Sequence, residues 1–322
     1  MNPKDLDLLK SLCQIHAPSG EELSMRDWLL DYIHTNSSSW KVRPKLVYGD
    51  DFQDCLILVF GEPRTAVYAH MDSVGYTVGY DNELIKIGGP KAQHGAVLVG
   101  EDSKGSILGK LNYVVEDEDE DQERGRETQV VKIMLDFDRE VDRGTSLTYQ
   151  VDFQADEQKV TTAYVDNRLG ILNALKLAET IEHGAICFSA WEEVGGGSVG
   201  YLARYLYAEY GVKQALISDI SWLTEGVSAE KGPVISMRDS GIPRKAYINR
   251  IIQLARDSRI PFQLEVESSG GSDGNALQNS PYPIDWCFVG AAEENVHMPN
   301  ETAYLKDIDH MFGLYEYLMA KL

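Results

Sequence analysis

Histidines and carboxylates stand in this chain at places where a soluble protein would ordinarily put neutral turn residues. The apolar run Ala66-Val67-Tyr68-Ala69 ends in His70-Met71-Asp72. A second run, Ile186 to Trp191, ends in the adjacent pair Glu192-Glu193, and a third, Ala215-Leu216-Ile217-Ser218, ends in Asp219. Asp166-Asn167-Arg168 opens a helical pattern, and His297 follows the last apolar run, Phe288 to Ala291. Singly, each has a commoner explanation: Asp166 as a helix cap, Asp219 as a turn residue, His297 as a loop histidine. The Glu192-Glu193 pair resists such a reading, because like charges at the edge of a core repel unless a cation or proton compensates them. Together, two imidazoles and three or four carboxylates make the mixed nitrogen and oxygen donor set that Zn²⁺ and Co²⁺ accept.

For these side chains to meet, the strands they end must lie parallel in one sheet. Ligand sites of open α/β sheets lie just beyond the carboxyl ends of strands. The surrounding pattern predicts such a sheet. Leu6, Leu9, Leu12 and Cys13 form a helical stripe, Pro18 breaks it, and Ser19-Gly20-Glu21-Glu22 reads as a capping box for a second helix bearing Trp28, Leu29 and Ile33. A buried strand is expected at Cys55 to Phe60. Helices are expected through Leu172, Leu175, Ala178 and Ile181, after Ser198, from Pro243 through Ile248, Ile251, Ile252 and Leu254, and from about Ile308. This alternation predicts an α/β fold, a mixed and largely parallel sheet with helices on both faces.

Between the first His and Asp166 the texture differs. Short strand candidates alternate with glycine-rich turns: Gly75 to Val78, Ala96 to Val99, Ile107 to Val114, Val130 to Phe137 and Ser146 to Phe153. Helical periodicity is absent, which predicts a small β-rich, barrel-like insertion. The acidic run Glu116 to Asp121 reads as a solvated loop within it. The expected division is a catalytic domain in two segments, 1–74 and 162–322, with an inserted domain at 75–161.

Composition narrows the function classes. The chain has 322 residues and a net charge of -21, so it has no surplus of Lys and Arg with which to displace phosphate counterions, and a nucleic-acid partner is not expected. No segment approaches the ~20 apolar residues of a membrane span, and the opening Met1-Asn2-Pro3-Lys4-Asp5 leads into no signal-like apolar run. The four cysteines are far apart with no paired spacing, as expected of reduced core residues in a cytoplasmic protein.

The ordered set Ala69-His70-Met71-Asp72, Val165-Asp166-Asn167-Arg168, Glu192-Glu193-Val194-Gly195, Ser218-Asp219 and His297-x-x-x-Glu301 resembles the glutamyl, or tetrahedral, aminopeptidase family of dinuclear metallopeptidases. Ala17-Pro18-Ser19-Gly20-Glu21, Lys231-Gly232-Pro233 and Gly270-Gly271-Ser272-Asp273 extend the likeness over nearly the whole chain. The resemblance implies a zinc-exopeptidase-like fold, peptide substrates and two divalent ions, zinc or cobalt. It implies His70, Asp166, Glu193, Asp219 and His297 as metal ligands, with Asp166 bridging. Asp72 would orient the imidazole of His70, and Glu192 would act as general base on a metal-activated water. On an extended backbone neighbouring side chains point opposite ways, so one glutamate could reach the ions while the other faces water and substrate. The resemblance also implies a homo-oligomer built from dimers, up to a dodecamer, with the insertion making contacts. Ser73, Gly197-Ser198 and Met298 depart from the family's usual residues, and none of them removes a proposed ligand or the base.

Three rivals are weighed beside this reading. A metal-dependent carboxypeptidase or N-acyl deacylase would share the ions and base, and a carboxypeptidase would need a cation such as Arg168, Arg238 or Arg244 for the terminal carboxylate. A glycosidase needs its carboxyl groups ~5–9.5 Å apart across the scissile bond, which an adjacent pair does not offer. A non-catalytic assembly protein on the same fold would have lost the base or the bridging Asp, and both Glu192 and Asp166 are present.

Overall fold

The computed structural model describes residues 1–91, 93–117 and 129–322. Helices α1 (Pro3–Cys13) and α2 (Leu23–Asn36) lead into strands β1 (Lys45–Val47), β2 (Leu56–Phe60) and β3 (Thr65–His70). Six strands follow: β4 (Gly75–Val78), β5 (Leu84–Ile87), β6 (Val97–Asp102), β7 (Gly105–Asp117), β8 (Gln129–Asp136) and β9 (Ser146–Tyr149). The chain continues through β10 (Gln154–Ala155), β11 (Lys159–Thr162), α3 (Val165–Thr180), β12 (Gly184–Ser189), α4 (Val199–Tyr210), β13 (Gln214–Trp222) and β14 (Val234–Arg238). Helix α5 (Lys245–Ser258), β15 (Gln263–Val266), α6 (Asp273–Asn279), β16 (Asp285–Glu294), β17 (Glu301–Tyr304) and α7 (Leu305–Met319) complete it.

Among the described residues, eleven strands form one mixed sheet in the order β1-β2-β12-β3-β13-β16-β17-β11-β10, with β14 and β15 branching from β16. Its centre is parallel: β12 pairs with β3, β3 with β13, and β13 with β16. The centre strands are buried on both faces, which is why β2, β3 and β12 read as unbroken apolar runs. Alternate residues sort cleanly between the two faces. Leu58, Val67, Ile186 and Leu216 pack with α1, α3, α5 and α7. Ile57, Tyr68, Cys187 and Ile217 pack with α4 and Leu277 of α6. The α/β sheet with helices on both faces is therefore as expected.

Strands β4 to β9 form a second, antiparallel sheet in the order β5-β4-β9-β6-β7-β8. A bridge between Glu83 and Met134 ties its two edges, so it is nearly a closed barrel. Its interior holds Tyr76, Leu98, Leu111, Leu147 and Tyr149.

Several local expectations differ from the structure. The run Ile186 to Trp191 leaves the sheet at Ser189, and Ser146 to Phe153 leaves it at Tyr149. Pro243 sits before the cap of α5, where Arg244 is the capping residue, rather than in its first turn. The Ser19 hydroxyl does not cap α2, because Asp72 takes it. Within the acidic run, Glu116 and Asp117 continue β7, and 118–121 lie outside the described residues. No helix among the described residues is long and apolar enough to cross a membrane.

Candidate metal centre

The parallel register brings the carboxyl ends of β3 and β12 beside the middle of β13: Ser189 lies level with His70, and Asp219 lies two residues beyond Ile217, the last β13 residue paired with β3. The strand does not end at Asp219, as the sequence suggests, but runs on to Trp222 beside β16. Helix α3 then fixes Asp166 against Asp219. The Asn167 side-chain amide donates to the Ser218 carbonyl at 2.9 Å, and that of Asn173 donates to the Ser218 hydroxyl at 2.8 Å. A Cβ on Gly170 would stand 2.2 Å from the Ser218 carbonyl oxygen, so the helix can approach the strand this closely only with glycine there. The backbone is not helical at Asp166 and Asn167, and the peptide between them is cis.

Two groups of ligand atoms result. His70, Asp166 and Asp219 form one, and Asp166, Glu193 and His297 the other, with the atoms of each group within 4.8 Å of one another. His70 Nε2 lies 3.2 Å from Asp166 Oδ1 and 3.7 Å from Asp219 Oδ1. His297 Nε2 lies 3.3 Å from Asp166 Oδ2 and 3.3 Å from Glu193 Oε2. Asp166 thus turns one carboxylate oxygen toward each histidine. Both imidazoles lean on carbonyls through Nδ1: His70 at 3.2 Å from the Asp72 carbonyl, His297 at 3.1 Å from that of Gly89. A carbonyl only accepts, so each Nδ1 carries a proton, and Nε2 is the ring nitrogen turned toward the carboxylates.

The Glu192-Glu193 pair is not on an extended strand. Residues Glu192–Val194 form a single tight helical turn entered through Trp191 at φ +62°. The two side chains diverge because of that turn, and Asp72 holds it. The buried Asp72 carboxylate accepts the Glu192 and Glu193 backbone N–H groups at 3.1 Å each and the Ser19 hydroxyl at 2.6 Å. Its Oδ1 also lies 3.4 Å from His70 Nδ1. Glu192 Oε2 stands 3.9 Å from His70 Nε2, outside both ligand groups. Glu192 lines a cavity of about 520 Å³ with Gly195, Gly196, Ser272, Asn275 and Asn279 among others, and no Lys or Arg among the described residues lines it.

Burial, and after it the neighbouring carboxylates, push the carboxyls of Glu192, Glu193, Glu293 and Glu301 well above the ordinary range. Burial opposes ionisation of Asp166 too, but the imidazoles of His297 and His70 outweigh it and hold that carboxyl below the usual range. The buried Oε1 of Glu193 and both carboxylate oxygens of Glu293 have no hydrogen-bond partner among the described residues. A surplus of buried acidic groups around two imidazole Nε2 atoms is a setting a cation relieves, so the residues present fit divalent metal binding.

Some residues here were not singled out by type or spacing. Glu301 accepts the Asp166 backbone N–H at 3.1 Å and that of His297 at 2.8 Å, joining two elements far apart in sequence. Its place four residues after His297 was visible, but not its task. Glu22 accepts the Trp191 N–H at 3.1 Å and braces the same turn from α2. The arginines also resolve. Arg168 is fully buried and donates to the carbonyls of Met71 and Ile15, while Arg244 pairs with Asp285. Arg238 donates to the Asp239 carbonyl.

The chain is similar in sequence and in fold to known proteins. Residues 57–314 match the model of a family described as M42 glutamyl aminopeptidase. A protein of Acetivibrio thermocellus with a provisional aminopeptidase description is 24% identical over 342 residues, covering 98% of each chain. The TET1 peptidase of Pyrococcus horikoshii, described as able to assemble into a tetrahedron or a large octahedral shell, shares the fold at a TM-score of 0.79 and 21% identity, covering 99% of this chain and 100% of its own. The aminopeptidase APDkam598 of Desulfurococcus kamchatkensis does so at 0.80 and 19%, covering 99% of this chain and 95% of its own.

Proposed function

The chain belongs to the M42 glutamyl aminopeptidase family, and from that premise we propose that it removes the amino-terminal residue of peptides by hydrolysis at the centre formed by His70, Asp166, Glu193, Asp219 and His297. It is a peptidase. The observation that carries the two-metal form of this reading is the divided Asp166 carboxylate, with Oδ1 toward His70 and Oδ2 toward His297. A carboxylate so placed can bridge, with His70 and Asp219 completing one side and Glu193 and His297 the other. Two zinc or cobalt ions held there would acidify a water toward neutral pH and polarise the scissile carbonyl.

The chain's own residues do the rest. Glu192, free of both ligand groups and facing the cavity, takes the proton of the attacking water at its carboxylate and passes it to the departing amine nitrogen. Asp72 holds the Glu192–Glu193 turn by its two backbone N–H groups, and so keeps base and ligand apart. The aminopeptidase reading is favoured over a carboxypeptidase because no Lys or Arg among the described residues lines the cavity, and Arg168, Arg238 and Arg244 are engaged elsewhere. Residues 75–161 are read as the assembly domain of a homo-oligomer built from dimers, up to a dodecamer. The assembly of the Pyrococcus relative and the exposed Ile85 and Leu108 of the second sheet support this.

A panel of free-amine, amino-blocked and carboxyl-terminal peptide substrates, assayed with Zn²⁺, Co²⁺ or chelator, tests the activity. Release of the first residue from free-amine peptides alone, abolished by chelator, is the expected result. Cleavage of blocked or carboxyl-terminal substrates instead would select the deacylase or carboxypeptidase alternative.

A further inference from the structure

The inserted sheet reaches into the metal centre. The segment that leaves β5, Gly88-Gly89-Pro90-Lys91, lies against Glu193 and His297. A Cβ on Gly88 would stand 3.0 Å from Glu193 Cβ and 3.2 Å from its Oε2, and one on Gly89 would stand 3.1 Å from His297 Nδ1. Two bonds of opposite sense fasten the segment to His297: the ring Nδ1–H donates to the Gly89 carbonyl at 3.1 Å, and the Lys91 N–H donates to the His297 carbonyl at 3.0 Å. The His297 N–H is already taken by Glu301 at 2.8 Å. Every polar group of His297 except Nε2 is therefore engaged, and two of the three bonds come from this segment.

The segment is itself braced from within the second sheet. The Tyr149 hydroxyl donates to the Lys91 carbonyl at 3.3 Å, and it lies 3.1 Å from the Tyr76 hydroxyl in the barrel interior. Tyr149 also donates its backbone N–H to the Tyr164 hydroxyl, two residues before Asp166. His70 takes its Nδ1 carbonyl from Asp72, two residues on in the same segment, rather than from the inserted sheet.

We propose that Gly88 and Gly89 are positioning residues for the Glu193–His297 half of the centre, so that the inserted sheet sets the hold on one of two metal ions and leaves the His70–Asp219 half to the larger sheet. A carbonyl on Nδ1 fixes both the tautomer and the ring angle of a ligand histidine, and removing such a partner usually weakens metal affinity about 10–100-fold. Glycine at both positions is what allows a backbone to come this close. This inference rests on the two-metal reading above.

The test is titration of the metal-free full chain with Co²⁺, followed by calorimetry and by the visible spectrum of each bound ion, for the natural chain, Gly89→Ala and Tyr149→Phe. The natural chain is expected to take up two ions in resolvable steps. Gly89→Ala is expected to weaken one step about 10–100-fold with a shifted spectrum for that ion, while the other step keeps its affinity and spectrum. At low metal its kcat falls, and excess metal restores it. Equal weakening of both steps, or none, overturns the inference. If Gly89→Ala fails to fold, Tyr149→Phe, which removes only a hydroxyl, decides by the same readings. Uptake of fewer than two ions by the natural chain would instead overturn the two-metal reading itself.

Discussion

Glu192 and Glu193 are one residue apart, yet they face different chemistry. Glu193 Oε2 lies 3.3 Å from His297 Nε2 within a ligand group, and Glu192 lies outside both groups at the edge of the cavity. What separates them is a tight turn held by the two oxygens of Asp72. Removing the charge of Glu192 while keeping its shape isolates the proton-transfer role proposed for it. Glu192→Gln is expected to lower kcat by about 10²–10⁴-fold with bound metal unchanged, as read by initial rates and elemental analysis. Turnover at the natural rate would end the assignment of the base.

At the scale of elements, the centre depends on how closely α3 lies on β13. Asp166 opens the one and Asp219 lies just past the middle of the other, with Ser218 stitched to Asn167, Asn173 and Gly170 between them. Gly170→Ala would put a Cβ 2.2 Å from the Ser218 carbonyl oxygen, so helix and strand must part. The expected cost is about 1–3 kcal/mol of folding stability, measured by denaturant unfolding of the metal-free chain. Metal affinity should fall in both ligand groups, since Asp166 serves both. A variant with unchanged midpoint and metal uptake would show that the contact carries no such weight. The β3, β12 and β13 runs were legible as buried strands because parallel strands covered on both faces have no polar side to interrupt them. The short strands β1, β10 and β17 escaped notice because two to four residues carry too little period to stand out.

At the scale of the molecule, the second sheet has two faces of interest. One edge loop reaches Glu193 and His297 of the candidate metal centre through Gly88 and Gly89. Elsewhere the sheet exposes Leu108 at 61% and Ile85 at 58%, apolar surface that a subunit contact would cover. Light scattering of the full chain is expected to give a mass of several subunits, with the dimer as its smallest unit. A monomer at every concentration would overturn the assembly reading.

The sequence by itself determined which residue types end the strands, that the core alternates strand with helix, and that a β-rich stretch interrupts it. Those features are local: buried runs, helical stripes and turn residues are set by neighbours a few positions away. Only the tertiary structure decided what each polar group meets. Asp72 looked like a partner for an imidazole and also clamps a turn 120 residues on. Ser19 looked like a helix cap and binds Asp72 instead, and the arginines available for a substrate carboxylate are engaged elsewhere. The carbonyl that orients His297 belongs to Gly89, 208 positions earlier. Such pairings follow from strand order and register, and no periodicity along the chain encodes them.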